Sequence, residues 1–169
     1  MSVKKMTRIA LFSAVLCIFK TVLEFLPNIE LVSFFTIIYT LVFGSEAFIA
    51  VTVFNLFEVV RWGLGTWVIS YLYVWPLLVL ITLLLKKIIK EDFVMWAVVS
   101  GAFGLVFGAL FAVLYLLIDV KYAWTYFLSG LPWDLVHCVG NFIIMITLGK
   151  PMHKLFKKME VQYGERKKD

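Results

Sequence analysis

Between Leu131 and Asn141 the chain reads LPWDLVHCVGN, an acid, an imidazole and an amide set in an otherwise apolar run. On a helix, Asp134, His137 and Asn141 stand at i, i+3 and i+7 and share one face, with Cys138 at its border. Polar groups inside an apolar bundle are costly and normally face its interior or a water-filled cavity. Two readings follow. In one, the stripe contacts a ligand, or Asp134 and His137 trade a proton with a substrate. In the other, Asp134 caps the helix that begins at Pro132 and His137 hydrogen-bonds to a neighbouring helix.

A second group lies in FEVVRWGLGTW, residues 57–67. Glu58 and Arg61 are spaced to pair along a helix, and Gly63 and Gly65 permit a turn with positive φ. The helix that follows carries Trp67, Tyr71 and Trp75 at four-residue steps, one aromatic stripe on which a planar ligand can stack. Such a stripe serves packing equally well. Trp124 stands among the other rings of the same half of the chain. In SGAFGLVFGAL, Gly101, Gly104 and Gly108 form a small face that lets helices approach closely. Ala10 and Ala14 make a further small patch on the first helix.

These residues are carried by a chain of 169 residues, 63% hydrophobic and 17% aromatic. Soluble domains average about 45–50% apolar residues, so lipid is the expected solvent. One all-α membrane domain over 1–169 is expected, with six spans near 6–26, 29–43, 45–61, 66–87, 93–118 and 132–149. The first reads as a retained helix rather than a signal peptide. Gly149 and Pro151 are expected to stop the sixth, leaving a basic tail over about 150–169 in which His153 is solvated. The stretch 119–131 reads as a loop or a short interfacial helix. Cys17 and Cys138 read as buried free thiols.

The net charge of +5 is a topology signal. Thirteen of the sixteen basic residues fall at the two termini or after the fourth span; only Lys20, Arg61 and Lys121 fall at the other end. The positive-inside rule then places both termini in the cytoplasm. At the outer end gather Glu24, Glu30, Glu58, Arg61, Asp119, Asp134 and most of the Trp and Tyr residues. No Walker-type loop, HExxH or paired CxxC occurs, which removes self-powered ATP hydrolysis and the common zinc sites.

PNIELVSFFTIIYTLVFG, the AxxxA of the first helix and LPWDLVHCVGNF together resemble the S components of energy-coupling factor (ECF) vitamin transporters, over nearly the whole chain. The resemblance implies a six-helix bundle in a bacterial cytoplasmic membrane, without catalytic residues, metal or cofactor of its own. It implies capture of a vitamin on the outer side, and delivery through a transmembrane coupling subunit driven by two cytoplasmic ATPases. Ala10 and Ala14 match the family's docking positions. The family's ligand region maps to Trp67, Tyr71, Trp75, Trp124, Asp134, His137 and Asn141, with Glu58 and Arg61 at the edge. The chain most resembles the cobalamin-type members; a thiamin-like or queuosine-type nucleobase ligand would also use Trp stacking and a carboxylate. An intramembrane enzyme acting on a lipid is the reading of another class.

Overall fold

A computed structural model describes residues 1–163, so Arg166, Lys167 and Lys168 of the expected basic tail lie outside the described residues. The described chain is all-helical. In order the helices are α1 (Val3–Val22), α2 (Val32–Phe43), α3 (Glu46–Trp62), α4 (Thr66–Ile89), α5 (Phe93–Leu105), α6 (Phe107–Tyr115) and α7 (Val120–Tyr163). Helices α5 and α6 form one pass, broken only at Val106, so the described residues make six helical passes. Three passes are long and apolar enough to cross a membrane: Thr66–Ile89, Phe93–Tyr115 and Val120–Gln162. Helix α2 is apolar but has only 12 residues, a rise of about 18 Å.

Charge sorts the two ends. At the basic end, Arg8 donates to both carboxylate oxygens of Glu46, at 2.7 and 2.8 Å through Nη2, Lys5 pairs with the same carboxylate, and Lys157 pairs with Glu91. At the opposite, aromatic end, Arg61 pairs with Glu24 at 2.8 Å, and the Thr66 and Tyr115 hydroxyls meet at 3.0 Å. The core between them is a continuous cluster of Leu, Ile, Val and aromatic residues from every pass.

Two expectations for the last pass fail. The stretch 119–131 is neither a loop nor a separate helix: it is the first part of α7, opened by Asp119, whose carboxylate accepts from the Tyr122 N–H at 2.6 Å. Nor does α7 stop at Gly149 and Pro151. A proline inside a helix removes one hydrogen bond and crowds the preceding turn, a cost of about 3 kcal/mol. Packing holds the helix through it. Phe156 sits among Phe12, Phe35 and Phe43, with centroids 6.3–6.4 Å away, and His153 lies against the Phe93 ring at 5.3 Å. His153 is therefore buried rather than solvated. At 44 residues α7 is about 66 Å long, twice a ~30 Å hydrocarbon core.

The glycine face does what its spacing predicts. A Cβ on Gly104 would lie 2.8–2.9 Å from the His137 carbonyl group, and one on Gly108 would lie 2.4 Å from the Asp134 carboxylate. A Cβ on Gly101 would be tight but not colliding, 3.2 Å from the Cys138 carbonyl oxygen. Three glycines thus seat α5 and α6 directly on the α7 backbone. Gly130 meets nothing within 4 Å. Gly104→Val should lower the unfolding free energy in detergent by about 1–3 kcal/mol, as overpacking does, while Gly130→Ala should leave it unchanged or raise it slightly. Equal behaviour of the two in thermal unfolding would contradict this packing.

Candidate functional site

The polar stripe of α7 faces inward as its spacing predicts: Asp134, His137 and Asn141 are each at most 2% exposed. Each is fixed by a different neighbour. The break at Val106 leaves the Gly108 N–H without an intrahelical acceptor, as at any helix start. Asp134 Oδ1 accepts it at 3.0 Å. Asp134 therefore caps a helix, but it caps α6 from across the bundle rather than its own. His137 Nε2 donates to Glu30 Oε1 at 3.0 Å, and Asn141 Nδ2 donates to the Ser100 carbonyl at 3.3 Å. Asp134 Oδ2, His137 Nδ1 and Asn141 Oδ1 have no hydrogen-bond partner among the described residues.

Glu30 was read from the sequence only as an outer acid, yet it ties three elements together. One carboxylate oxygen accepts from His137; the other accepts the Ser33 N–H at 2.9 Å and so caps the start of α2. An acid two residues ahead of an apolar helix is the signal that marks such a cap. Burial alone would push the Glu30 carboxyl up, but the His137 and Ser33 hydrogen bonds outweigh it and hold it below the usual carboxylate range. The segment 23–31 that carries Glu30 is pinned a second time by the Glu24–Arg61 pair.

Beneath that segment lies a cavity of about 230 Å³ whose lining includes Lys20, Glu30, Tyr71, Trp75, Phe107 and His137. A second hollow, of about 510 Å³, is lined by Trp67, Tyr126, Trp133 and Asp134. Asn28, Tyr71 and Phe107 line both. The stripe expected on α4 is present as a run of edge-to-face rings: Trp67–Tyr71 at 5.4 Å and Tyr71–Trp75 at 5.3 Å. Phe107 continues it, 5.6 Å from Trp75 and 4.7 Å from His137. The Trp75 indole is buried and its Nε1–H has no acceptor among the described residues.

Five of the nine expected residues thus line the two hollows: Trp67, Tyr71, Trp75, Asp134 and His137. Asn141 is buried one turn deeper and lines neither. Glu58 and Arg61 do not pair. Glu58 is fully buried, with neither oxygen hydrogen-bonded among the described residues, whereas Arg61 at the rim donates to Glu24 and Thr21 and lies 4.8 Å over the Trp62 ring. Of the two turn glycines only Gly63 has positive φ, +75°; Gly65 is extended at −75°. Trp124 is 62% exposed and lines a separate surface groove. Because 120–131 is continuous with α7, the ten-residue step from Trp124 to Asp134 turns them about 80° apart on the helix. Lys20, Glu30 and Phe107 enter the site without having been singled out for it, since their positions follow from chain crossings. Cys17 and Cys138 are free. No family model, curated protein or solved structure matches this chain.

Asp134→Ala should cost about 1–3 kcal/mol of stability by orphaning the Gly108 N–H, and Asp134→Asn, which keeps an acceptor oxygen, should recover most of it; equal losses by calorimetry would refute the cap. The Glu30 contact has its own pH signature. A carboxyl held below its usual value stabilises above that value and loses the effect as pH falls through its folded pKa. The mobility of a spin label attached at residue 28 should stay flat from neutral pH downward and rise only below the usual glutamate range, about pH 4. A rise that sets in well above the carboxylate range would refute the Glu30 latch.

Proposed function

We propose that this chain is a six-span membrane protein that captures a ring-bearing vitamin at its aromatic end, as the S component of an ECF-type importer. Its basic end, with the N-terminus and the α4–α5 turn, faces the cytoplasm, in keeping with the positive-inside rule. The single observation carrying the capture reading is the hollow at the aromatic end: adjoining cavities walled by Tyr71, Trp75 and Phe107, beside polar atoms of Trp75, His137 and Asp134 that have no hydrogen-bond partner among the described residues. Ligand sites are mostly apolar concavities of about 300–1,000 Å³ with a few convergent polar groups, and the pair of cavities has that character.

Delivery belongs to partners. A transmembrane coupling subunit and two cytoplasmic ATPases supply the energy, and Ala10 and Ala14, both exposed on α1, offer the small-residue face for docking. Vitamins with one or two rings, thiamin-like or nucleobase-like, suit the cavities as they stand. Cobalamin, the ligand of the members the sequence most resembles, is larger than either cavity and requires the segment 23–31 to swing outward. The Glu30 and Glu24 contacts are the two ties that such a motion would break.

The test is calorimetric titration of the purified chain with thiamin, a queuosine-type base, riboflavin and cobalamin. One should bind without any partner, and transport should need the full complex. Trp75→Phe keeps the ring and removes the N–H donor, so it should weaken binding by about tenfold or less, the worth of one hydrogen bond. A pink preparation would point to the corrinoid. Failure of all four ligands to bind, together with no ligand found by mass spectrometry of the protein from rich medium, would reject the reading.

A further inference from the structure

At the basic end, away from the vitamin hollow, the surface is cut by an apolar groove of about 450 Å³. Its walls come from three helices: Leu11, Phe12 and Val15 of α1, Phe43 of α2, and Phe156 and Met159 of α7. It exists because α7 runs on past Pro151. That extension brings Phe156 against Phe12 and Phe43, and among the described residues the strip beside it is uncovered. Leu11 at 62% and Met159 at 41% remain exposed on its walls.

The mouth is cationic. Lys4 and Arg8 line the groove, and Lys5 is adjacent. These three cations share one carboxylate, Glu46, which is taken by Arg8 and Lys5. Lys4 is exposed and forms no ion pair among the described residues. The Tyr39 hydroxyl lies beside the Arg8 guanidinium in the groove wall, a further donor at the same level. An apolar slot opening onto surplus positive charge is complementary to an acyl chain joined to an anionic headgroup. Basic pockets between helices on the cytoplasmic side are where anionic lipids bind.

We infer that this groove holds one anionic phospholipid, its chain between α1, α2 and the α7 extension and its headgroup at Lys4 and Arg8. The inference rests on the membrane topology proposed above but not on the vitamin. The lipid would act as a wedge that completes the packing of the α7 extension.

The full-length protein is reconstituted in vesicles of equal phosphatidylglycerol and phosphatidylcholine, extracted in mild detergent, and weighed by native mass spectrometry. One phosphatidylglycerol per chain should stay bound, favoured about tenfold or more over phosphatidylcholine, as expected for two surplus cations. Leu11→Trp, which fills the slot, should abolish retention; Lys4→Glu should remove the preference for the anionic lipid. Lys121→Glu, at the other end, should change neither. Each variant is checked by circular dichroism, and should Leu11→Trp fail to fold, Val15→Phe replaces it. Equal retention of the two lipids, retention that survives the filled slot, or a second copy of the chain found in place of lipid would overturn the assignment.

Discussion

The structure depends on one close approach: the backbone of α5 and α6 lying directly on the backbone of α7. In the membrane setting proposed above no hydrophobic force draws helices together, so association would rely on packing and on hydrogen bonds that cannot be traded for water. Gly101, Gly104 and Gly108 supply the packing, because a methyl group at the last two would collide with His137 or Asp134. Asp134 supplies the hydrogen bond. Its carboxylate reaches the Gly108 N–H only because Gly108 has no side chain and because the helix is broken just before it. The break, the glycine and the acid form one device, and each would be a defect without the other two.

That device also sets the hollow. By fixing α6 against α7 it brings Phe107 to the His137 ring on one side and to Trp75 on the other. The ring wall is completed by α4, which Asn55 holds through the Tyr71 carbonyl at 2.9 Å and which Tyr73 ties to α6 through the Leu110 carbonyl at 2.6 Å. The segment 23–31 then closes over the smaller cavity, held by Glu30 and Glu24. A rigid wall with a covering segment held by two side-chain pairs is a sensible division of labour for capture, since only the cover has to move. The lipid-enzyme alternative is less well served. Asp134 and His137 hydrogen-bond to separate elements, and each is partly engaged in holding the fold.

What was legible in the sequence is what periodicity and composition encode. The helical class and the six passes follow from the apolar runs, the sorting of charge from the positions of Lys and Arg, and the inward stripe of α7, the ring stripe of α4 and the glycine face from spacings of three and four residues. The misses have a common cause. Pro151 and Gly149 read locally as a stop, but the Phe156 cluster and the Phe93–His153 contact, both made by residues distant in sequence, hold α7 together across them. Glu58 and Arg61 read locally as a pair, but a chain crossing puts Glu24 beside Arg61. Trp124 was grouped with the other rings by region, and helical register turns it away. Glu30 was visible only as an outer acid; its capping of α2 and its grip on His137, 107 positions along, were not.

The α7 extension links the two ends. A single helix carries His137 and Asp134 at the hollow, and then Phe156 and Met159 at the groove. Its shift along or about its axis would alter both places together, because α7 is seated by backbone contact on α5 and α6 and cannot deform locally without losing the glycine packing. On the proposed reading, a ligand in the hollow would act on His137 through Glu30 and the covering segment, and a lipid in the groove would act on Phe156. Such coupling requires only that α7 move as a rigid element with two seatings, which is the physical condition for two distant sites to influence one another.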